Sequence, residues 1–382
     1  MRKKVSSILI CPNSKKEGFK FYAFELTRNG NSIKDVNDGE INAEDDIKYG
    51  VAVSTTSNTA YPIDEYIGVF LSDADVDKHH HKNFLEKYVT LLPADFKDAV
   101  QNTLNRIYGA TETSDGKWNR EEMMYYDAEV ETEEKRKKML NSVLNKPMWR
   151  IFIPRKKHMI DLIAPSCKNE FVLEIGGGVC RTVSRLFNPA EYNYNYIGTD
   201  IAFKRLMVAK QATPAGDFLQ ASALNLPFKK NTFQCVISFG MLHHLPRPVE
   251  ALEHCNEVLK NGGLITFHEP IIRPDLPIIS SATARKLLRT YEHSEHDGKI
   301  DFDASIKMLE SKNHEVLKVA RQISVFRALT ESLLKKISKK ALLSKSVVLW
   351  LEGFDKIFLN TFCLLSKRFG PNAVLVVTRK KS

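Results

Sequence analysis

The sequence predicts an α/β protein that is built on a doubly wound parallel sheet, with a small β-rich segment ahead of it. From about residue 147 onward, short apolar runs alternate with segments of helical spacing, which is the pattern of a parallel sheet. Within that part, the apolar run 171–175 leads into three glycines and then into a helix-forming stretch. A strand, a glycine turn and a helix start are typical of the first βα unit of such a sheet. We therefore expect a sheet domain over 147–382, preceded by segments 1–72 and 73–146.

The composition is that of an ordinary globular protein. Of the 382 residues, 43% are hydrophobic and 27% are charged, so disorder is not indicated over most of the chain. The six cysteines are scattered without a C-x-x-C pair, which excludes a disulfide framework and an intact cysteine zinc site. We therefore expect no metal and a reducing, cytoplasmic location.

The net charge of +10 is unevenly distributed. Residues 331–382 carry eleven Lys or Arg and three acids, so most of the excess lies in the last segment. A nucleic-acid-binding protein more often spreads basic residues over a binding face, and we do not expect nucleic acid as a partner. A basic segment that is rich in Leu, Phe and Trp also suits an acidic membrane surface.

Segment 1–72 has a Cys-Pro pair near its start and a Tyr-Pro-Ile tripeptide near its end. It resembles the small zinc-ribbon module of activators of transfer-RNA and protein methyltransferases, which is also fused ahead of some bacterial methyltransferases. Of the four cysteine positions in that module, Cys11 matches the first, and the others hold Ser14, Ser54 and Ser57. Because neutral serine hydroxyls do not serve as zinc ligands, we expect a degenerate, metal-free ribbon. An unrelated β-hairpin module is the alternative.

Segment 73–146 is predicted to be a helical connector. Apolar residues recur at helical spacing over 85–108, and the stretch 118–144 also favours a helix. The three consecutive histidines at 79–81 are expected in a solvated loop, because three neighbours cannot all face one metal ion from a regular element.

The acids that follow the first two strands of the predicted sheet indicate the ligand. The dinucleotide motif G-x-G-x-x-G is excluded, because Arg181 stands where its third glycine would be. Glu174 lies just before the glycines and suits a cationic ligand. Asp200 ends the second strand, where an acid accepts hydrogen bonds from ribose hydroxyls. The sequence therefore predicts a cationic, adenosine-containing ligand at the carboxyl edge of the sheet.

This arrangement resembles the first motif, E/D-x-G-x-G-x-G, of the class I S-adenosylmethionine (SAM)-dependent methyltransferases. Glu174, Gly176 and Gly178 match the motif, with Gly177 between the glycines and Cys180 in place of the last one. The resemblance implies that SAM is the cofactor, that these acid and glycine residues bind it, and that the sheet is Rossmann-like with an antiparallel last strand. A glycine turn in another kind of α/β protein is the alternative.

The resemblance also implies further contacts to the cofactor from residues that follow the second, third and fourth strands. These are Asp200, Ile201, Ser222, Ala223, Gly240 and Met241. Ser222 stands where the family usually has an acid that meets the adenine amine, and its hydroxyl still accepts a hydrogen bond, more weakly. In the family an N-terminal helix often closes over the cofactor. Tyr125 or Tyr126 is the predicted lid residue, and surface packing is the alternative.

Four residues at the carboxyl edge are candidate catalytic groups. From Ser238 the sequence resembles the S-x-x-x-L-H-H-L element of quinone-biosynthesis and small-molecule methyltransferases, which includes His243 and His244. His268 and Glu269 follow the fifth strand at the same edge. One of these groups could act as a general base near neutral pH. The alternative for His243 and His244 is that they cap the next helix or bond the backbone.

The end of the sheet is predicted to contain two antiparallel strands, 314–326 and 373–379, with a helical insertion over 328–372. Charges interrupt the apolar stretch 333–365 of this insertion, so it should not span a bilayer. It either packs against the sheet or a second copy of the chain, or makes peripheral contact with a membrane. The oligomeric state stays undefined.

The sequence thus predicts a SAM-dependent methyltransferase with a small-molecule or lipid-linked acceptor. The fourth strand is not followed by N/D-P-P-Y/F, which speaks against amino groups of bases or of Gln as targets. An RNA or protein methyltransferase and a non-catalytic SAM-binding adaptor are the alternatives.

Overall fold

The computed structural model describes residues 1–73, 75–110, 113–145, 153–270, 300–322 and 373–381. The predicted insertion 328–372, with its proposed membrane-contact stretch 333–365, lies outside the described residues. Within the described ranges, no helix has the length and apolar character needed to cross a membrane.

Among the described residues, twelve strands form one sheet. The strands are β1 (Phe19–Arg28), β2 (Asn31–Asn37), β3 (Asp46–Ser54), β4 (Ala60–Asp64), β5 (Ile67–Val69), β6 (Phe171–Ile175), β7 (Asn195–Asp200), β8 (Asp217–Gln220), β9 (Phe233–Phe239), β10 (Leu259–Pro270), β11 (His314–Gln322) and β12 (Ala373–Lys380). The α-helices are α1 (Lys78–Tyr88), α2 (Ala94–Gly109), α3 (Ser114–Ala128), α4 (Glu133–Asn145), α5 (Ile153–Cys167), α6 (Arg181–Leu186), α7 (Pro189–Tyr192), α8 (Phe203–Ala212), α9 (Pro248–Val258) and α10 (Phe302–Ser311). The spatial order of the strands is β11-β12-β10-β9-β6-β7-β8-β5-β4-β3-β1-β2.

The central strands form the predicted parallel sheet, and the α/β Rossmann-like fold is confirmed. β6 pairs in parallel with both β7 and β9, and β10 extends the sheet beside β9. The chain leaves β6 toward β7 on one side and later returns to β9 on the other, so the strand order reverses at β6. Ligands of open α/β sheets bind in the crevice outside the carboxyl ends of the strands at such a switch point.

The last two strands lie at one edge of the sheet. β12 lies between β10 and β11 and is antiparallel to both. The predicted antiparallel pairing of these two strands is therefore confirmed over the residues that the structure describes.

The five N-terminal strands continue the same sheet. β1 to β5 pair antiparallel with one another, and β5 pairs in parallel with β8, with Ile67 opposite Phe218 and Val69 opposite Gln220. Without β5, the strand β8 would present a row of unpaired N–H and C=O groups at a sheet edge. β5 removes that edge and buries Ile67 and Val69.

One apolar core extends under both parts of the chain. It joins Leu9, Phe21 and Tyr61 from the N-terminal segment to Leu173 and Phe267 from the central sheet. The boundary expected at residue 72 therefore does not separate two cores. A second core lies on the opposite face of the sheet, where α5, α6 and α8 pack.

The helices α1 and α2 pack on the N-terminal strands, where Phe84 and Phe96 contact Tyr22 and its neighbours. The histidines 79–81 lie in the first turn of α1, so the predicted solvated loop is wrong. Asp77 caps this helix by accepting hydrogen bonds from two of their backbone N–H groups, and the third histidine is 2% exposed. The N-cap and the buried apolar residues later in the helix stabilise the helical conformation, although the histidines themselves are polar.

Candidate functional site

A cavity opens at the carboxyl edge of the central strands, beneath α3. Eight residues predicted for the site line it: Gly176, Asp200, Ile201, Ser222, Ala223, Gly240, Met241 and His244. They come from four separate segments, and the sheet brings them together because each segment follows a central strand.

The described lining also contains residues that sequence reasoning missed: Trp118, Asn119, Glu122, Arg205, Ala221 and Leu245. Of these, Trp118 and Glu122 lie on the same face of α3 as Tyr126, because the three are spaced by four residues. That spacing was the signal available in the sequence. Tyr126 lines the cavity, whereas Tyr125 is 45% exposed, so the two predicted lid candidates differ in position.

The glycine turn is held by Asp200 at the end of β7. Its two carboxylate oxygens accept hydrogen bonds from the backbone N of Gly178, at 2.7 Å, and of Ala202, at 2.8 Å. Burial raises the pKa of Asp200, and the positive charge of Arg205 opposes that rise. Gly178 thus supports the turn through Asp200 and is not part of the described lining.

Gly176 is the glycine of the turn that lines the cavity, and no other residue type fits there. Its φ is +60°, in the left-handed region that favours glycine, and an added Cβ would lie 1.9 Å from Cγ of Met241. Met241 therefore packs directly against the backbone of the turn. This contact joins the loop after β6 to the loop after β9.

Glu174 lies behind the glycine turn and does not line the described cavity. It is 3% exposed, and its carboxylate accepts a hydrogen bond of 2.5 Å from the hydroxyl of Tyr196. An added Cβ on Gly177 would lie 3.2 Å from Oε2 of Glu174, which places the carboxylate directly against the turn. The predicted contacts of Glu174 and Gly177 with a ligand stay predictions.

Cys180 completes the network behind the turn. Its Sγ lies 2.9 Å from the hydroxyl of Tyr196, and burial raises the pKa of the thiol. Its φ of 51° lies in the left-handed region that favours glycine. This conformation explains why the motif that this turn resembles has a glycine at that position.

Glu269 anchors the turn after β9. Its Oε1 accepts hydrogen bonds from Oγ of Ser238 at 3.2 Å, from N of Met241 at 3.2 Å and from N of Leu242 at 3.1 Å. Its Oε2 lies 2.8 Å from Nδ1 of His243. Burial by itself would raise the pKa of Glu269, but His243 and the two N–H groups outweigh it and lower the pKa. Neither Glu269 nor His243 lines the described cavity, and this geometry favours a role in holding the turn.

His244 is the candidate catalytic residue that does line the cavity. Its Nε2 lies 3.1 Å from the hydroxyl of Tyr126, and its Nδ1 lies 3.9 Å from Oε2 of Glu122. Its carbonyl accepts a hydrogen bond of 2.9 Å from the indole N–H of Trp118. His268 is half-buried and is not part of the described lining; its carbonyl accepts a hydrogen bond from the turn after β9.

The C-terminal end of α3 is fixed to the start of α8. The carboxylate of Asp127 accepts a hydrogen bond of 2.8 Å from the backbone N of Lys204, and burial raises the pKa of Asp127 to about 7. The guanidinium of Arg205 lies 4.5 Å from the centre of the Tyr126 ring and 3.5 Å from the carboxylate of Glu129. These contacts dock α3 over the cavity.

The four positions of the predicted degenerate ribbon lie close together. Sγ of Cys11 is 3.2 Å from Oγ of Ser57 and accepts a hydrogen bond from N of Ser14 at 3.4 Å, while Oγ of Ser54 accepts one from N of Ser57 at 3.3 Å. Although burial opposes it, hydrogen bonds from Ser14, Ser57 and Tyr61 lower the pKa of Cys11 to about 7. Among the described residues, no group of three or more His, Cys, Asp or Glu could hold a metal ion. The resemblance to a zinc ribbon stays a prediction.

Comparison with known proteins shows that the segment around the cavity is similar to methyltransferases. Residues 173–267 match a family model described as "Methyltransferase domain". A ubiquinone/menaquinone biosynthesis C-methyltransferase from Ruegeria sp. is 31% identical over 138 residues, which cover 34% of this chain and 53% of that protein. A demethylmenaquinone methyltransferase from Paenarthrobacter aurescens is 33% identical over 101 residues, which cover 26% of this chain and 39% of that protein. The chain thus spans about half the length, or less, of these curated relatives.

Two solved structures are also similar to the chain. One is a geranyl diphosphate C-methyltransferase from Streptomyces coelicolor, with S-adenosyl-L-homocysteine bound, at 10% identity and a TM-score of 0.42, covering 59% of this chain and 76% of that chain. The other is a phosphoethanolamine N-methyltransferase from Haemonchus contortus with SAM bound, at 13% identity and a TM-score of 0.44, covering 67% of this chain and 60% of that chain.

Residues 173–267 are thus similar to methyltransferase domains, and the cavity offers groups that suit SAM as a cofactor. Asp200 is buried at its edge with carboxylate oxygens that can each accept a further hydrogen bond. At Gly240, an added Cβ would meet nothing nearer than the His243 ring at 3.9 Å, so the backbone there borders open space. Ser222 and Ala223 supply a hydroxyl and a small apolar surface to the same cavity.

Proposed function

We propose that the protein is a SAM-dependent methyltransferase that acts on a small-molecule or lipid-linked acceptor. The observation that carries this proposal is the cavity at the switch point of the sheet, where Asp200, Ser222 and Gly240 meet beneath α3. The family match over residues 173–267 supports the same reaction.

In this proposal the chain mainly binds, orients and encloses the reactants. SAM supplies an electrophilic methyl group on a positively charged sulfur. Asp200 accepts hydrogen bonds from the ribose, and Ser222 accepts one from the adenine amine. Trp118 and Tyr126 on α3 exclude water from the cavity. Methyl transfer is an in-line displacement, so alignment of the two reacting atoms supplies most of the acceleration.

His244 is the residue proposed to take a proton when the acceptor must lose one. Its imidazole lines the cavity beside the hydroxyl of Tyr126, and a histidine titrates near neutral pH. An acceptor without an acidic proton would not need this step. The proposal therefore does not require one fixed base.

The lining and the relatives support an acceptor with an apolar or aromatic part. Trp118, Met241 and Leu245 contribute apolar surface to the cavity, and two relatives are named for quinone methylation. The stretch 333–365 is proposed to hold the protein at a membrane when the acceptor is lipid-linked. Flotation of the full chain with anionic liposomes, but not of a variant that lacks 333–365, is the expected result; equal flotation would reject this part.

Methyl-labelled SAM tests the function directly. We expect label from the purified protein and a cell extract to enter the organic-solvent fraction, and Asp200→Asn to abolish the transfer. Label in precipitated protein or RNA would reject the acceptor class and support the alternative macromolecular methyltransferase. Calorimetric binding of SAM without any transfer would support a non-catalytic adaptor, and no binding would reject the proposal as a whole.

A further inference from the structure

Asn119 places a buried amide in the wall of the cavity. It lies on α3, is 5% exposed and lines the cavity together with Ser222. Its Nδ2 donates one hydrogen bond of 3.0 Å to Oδ1 of Asp75 and one of 3.4 Å to Oγ of Ser222. The amide thus joins three segments that are far apart in the chain, namely the segment before α1, the helix α3 and the loop after β8.

The contact with Asp75 fixes which end of this amide faces the cavity. An ionised carboxylate only accepts hydrogen bonds, so the nitrogen of Asn119 must lie on the side of Asp75. The other carboxylate oxygen of Asp75 accepts a hydrogen bond of 2.5 Å from Oγ of Ser72, which holds the carboxylate in place. In the part of the chain that the structure describes, Oδ1 of Asn119 accepts no hydrogen bond and is not sealed from solvent. This carbonyl oxygen is therefore the atom of the amide that can contact a ligand.

The hydroxyl of Ser222 is a weaker acceptor than the carbonyl beside it. Its Oγ already accepts hydrogen bonds from N of Leu224 at 3.3 Å and from Nδ2 of Asn119 at 3.4 Å. A hydroxyl oxygen has two lone pairs, so a donor on a ligand must share one of them with these groups. The carbonyl oxygen of Asn119 has both of its lone pairs available, which makes it the stronger acceptor.

We propose that Asn119 is a specificity-determining residue whose carbonyl oxygen accepts a hydrogen bond from the amine of adenine in the cofactor. This inference rests on the proposed function, in which Ser222 accepts the other hydrogen of that amine. Adenine carries a donating amine, whereas hypoxanthine carries an accepting carbonyl oxygen at the same position. Two facing carbonyl oxygens repel each other and leave a buried acceptor without a partner, so the site favours adenine. Asp75 is then a positioning residue that keeps the carbonyl of Asn119 turned toward the base.

Displacement of methyl-labelled SAM from the full chain tests the proposal. The competitors are S-adenosylhomocysteine and S-inosylhomocysteine, which differ at one position of the purine base. Equilibrium dialysis gives the affinity of each competitor, and the ratio of the two affinities is the readout. The proteins are the wild type, Asn119→Ala, Asp75→Asn and the control Asp115→Asn. Asp115 lies on α3 outside the described lining and pairs with Arg247, so this control reports changes in the docking of α3 alone.

We expect the wild type to bind the adenosyl compound at least about tenfold more tightly than the inosyl compound. Asn119→Ala should reduce this ratio to less than about threefold, because the stronger acceptor is gone. Asp75→Asn should reduce it as well, because the new amide can offer either its oxygen or its nitrogen, and Asn119 is then free to turn. Asp115→Asn should keep the ratio of the wild type, even if both affinities fall.

Each other outcome counts against a stated part of the proposal. If Asn119→Ala weakens both competitors equally and the ratio stays unchanged, Asn119 only packs in the wall and the proposal is overturned. An unchanged ratio in Asp75→Asn would overturn the role of Asp75. If Asn119→Ala does not fold, as judged by thermal unfolding, Asp75→Asn still tests the carbonyl with Asn119 in place, and a wild-type ratio near one would overturn the proposal. If the wild type does not bind SAM at all, the proposed function itself fails, which is a different outcome.

Discussion

Replacement of Glu269 by Ala tests whether this buried carboxylate holds the turn that borders the cavity. The change removes at once the acceptor of four contacts, from Ser238, Met241, Leu242 and His243. A buried donor that is left without a partner costs about 1–3 kcal/mol. Because the turn can relax and admit water to some of these donors, we expect a total loss of about 3–5 kcal/mol in the free energy of unfolding, as when one partner of a buried ion pair is removed.

Replacement of Glu269 by Gln separates the charge from the hydrogen bonds. The amide keeps an oxygen for the three donors on the Oε1 side, and His243 can accept a hydrogen bond from the amide N–H by changing tautomer. We therefore expect a smaller loss, about 1–2 kcal/mol.

The charge also gives this contribution a pH dependence. The folded state lowers the pKa of Glu269 below its ordinary value of 4.5. Such a group contributes its full stabilisation above the unfolded pKa and loses it as the pH falls through the folded pKa. The stability difference between the wild type and Glu269→Gln should thus be constant near pH 7 and shrink below about pH 4.5.

Urea denaturation followed by circular dichroism measures these differences. The control is Glu250→Gln on the surface of α9, where the carboxylate pairs with Arg247 at 2.6 Å and should contribute less than about 1 kcal/mol. Calorimetry should show weaker SAM binding by both Glu269 variants, because the turn borders the cavity. A loss in Glu269→Ala no larger than that of the surface control, or unchanged SAM affinity in a destabilised variant, would refute the assignment of Glu269 as the anchor.

Three other changes test separate parts of the structure. Gly176→Ala should abolish SAM binding in calorimetry, because the added Cβ clashes with Met241. Gly262→Ala is the control, since Gly262 has a φ of +77° but nothing lies within 4 Å of an added Cβ. A similar effect of both changes would reject the clash as the cause. Asp127→Asn should raise the free energy of unfolding by about 1–2 kcal/mol at pH 8 and lose this gain toward pH 4, because a raised pKa makes the ionised form costly in the folded state; a gain that does not vary with pH would contradict the burial argument. The triple variant Ser14→Cys, Ser54→Cys and Ser57→Cys restores the four cysteine positions of a zinc ribbon. If segment 1–72 is a degenerate ribbon, this variant should bind one zinc ion per chain in elemental analysis, whereas the wild type and any double variant should not.

Local patterns were enough to predict the parts of the site that belong to the sheet. Asp200 and Gly240 follow apolar runs, and the carboxyl ends of parallel strands meet at one edge, so their proximity follows from strand order. The contributions of α3 could not be predicted in the same way. Glu122 reaches the cavity because α3 docks on α8, and this docking depends on tertiary contacts between segments far apart in the chain.

The burial of two acids shows what the sequence could not predict about their surroundings. The sequence indicates that Glu269 lies at the carboxyl edge, but it does not reveal that backbone N–H groups and His243 surround its carboxylate. Glu174 is similar, since the hydroxyl of Tyr196 that it binds comes from the second residue of the next strand. An acid at a strand end can face the ligand itself, or it can hold a loop that faces the ligand. The two cases differ only in tertiary packing.

The N-terminal strands complete the methyltransferase sheet at the strand that leads into the cofactor cavity. The backbone N and Nε of Arg2 donate hydrogen bonds of 2.8 and 3.0 Å to the carboxylate of Asp217 at the start of β8. The backbone N of Phe70 donates one of 2.9 Å to the carbonyl of Gln220 at its end. Ser222 follows two residues later and lines the cavity. Because β8 is bonded along its length to β5 and held at its start by the N-terminal segment, the position of Ser222 and Ala223 in the cavity depends on strands that lie outside the matched methyltransferase domain.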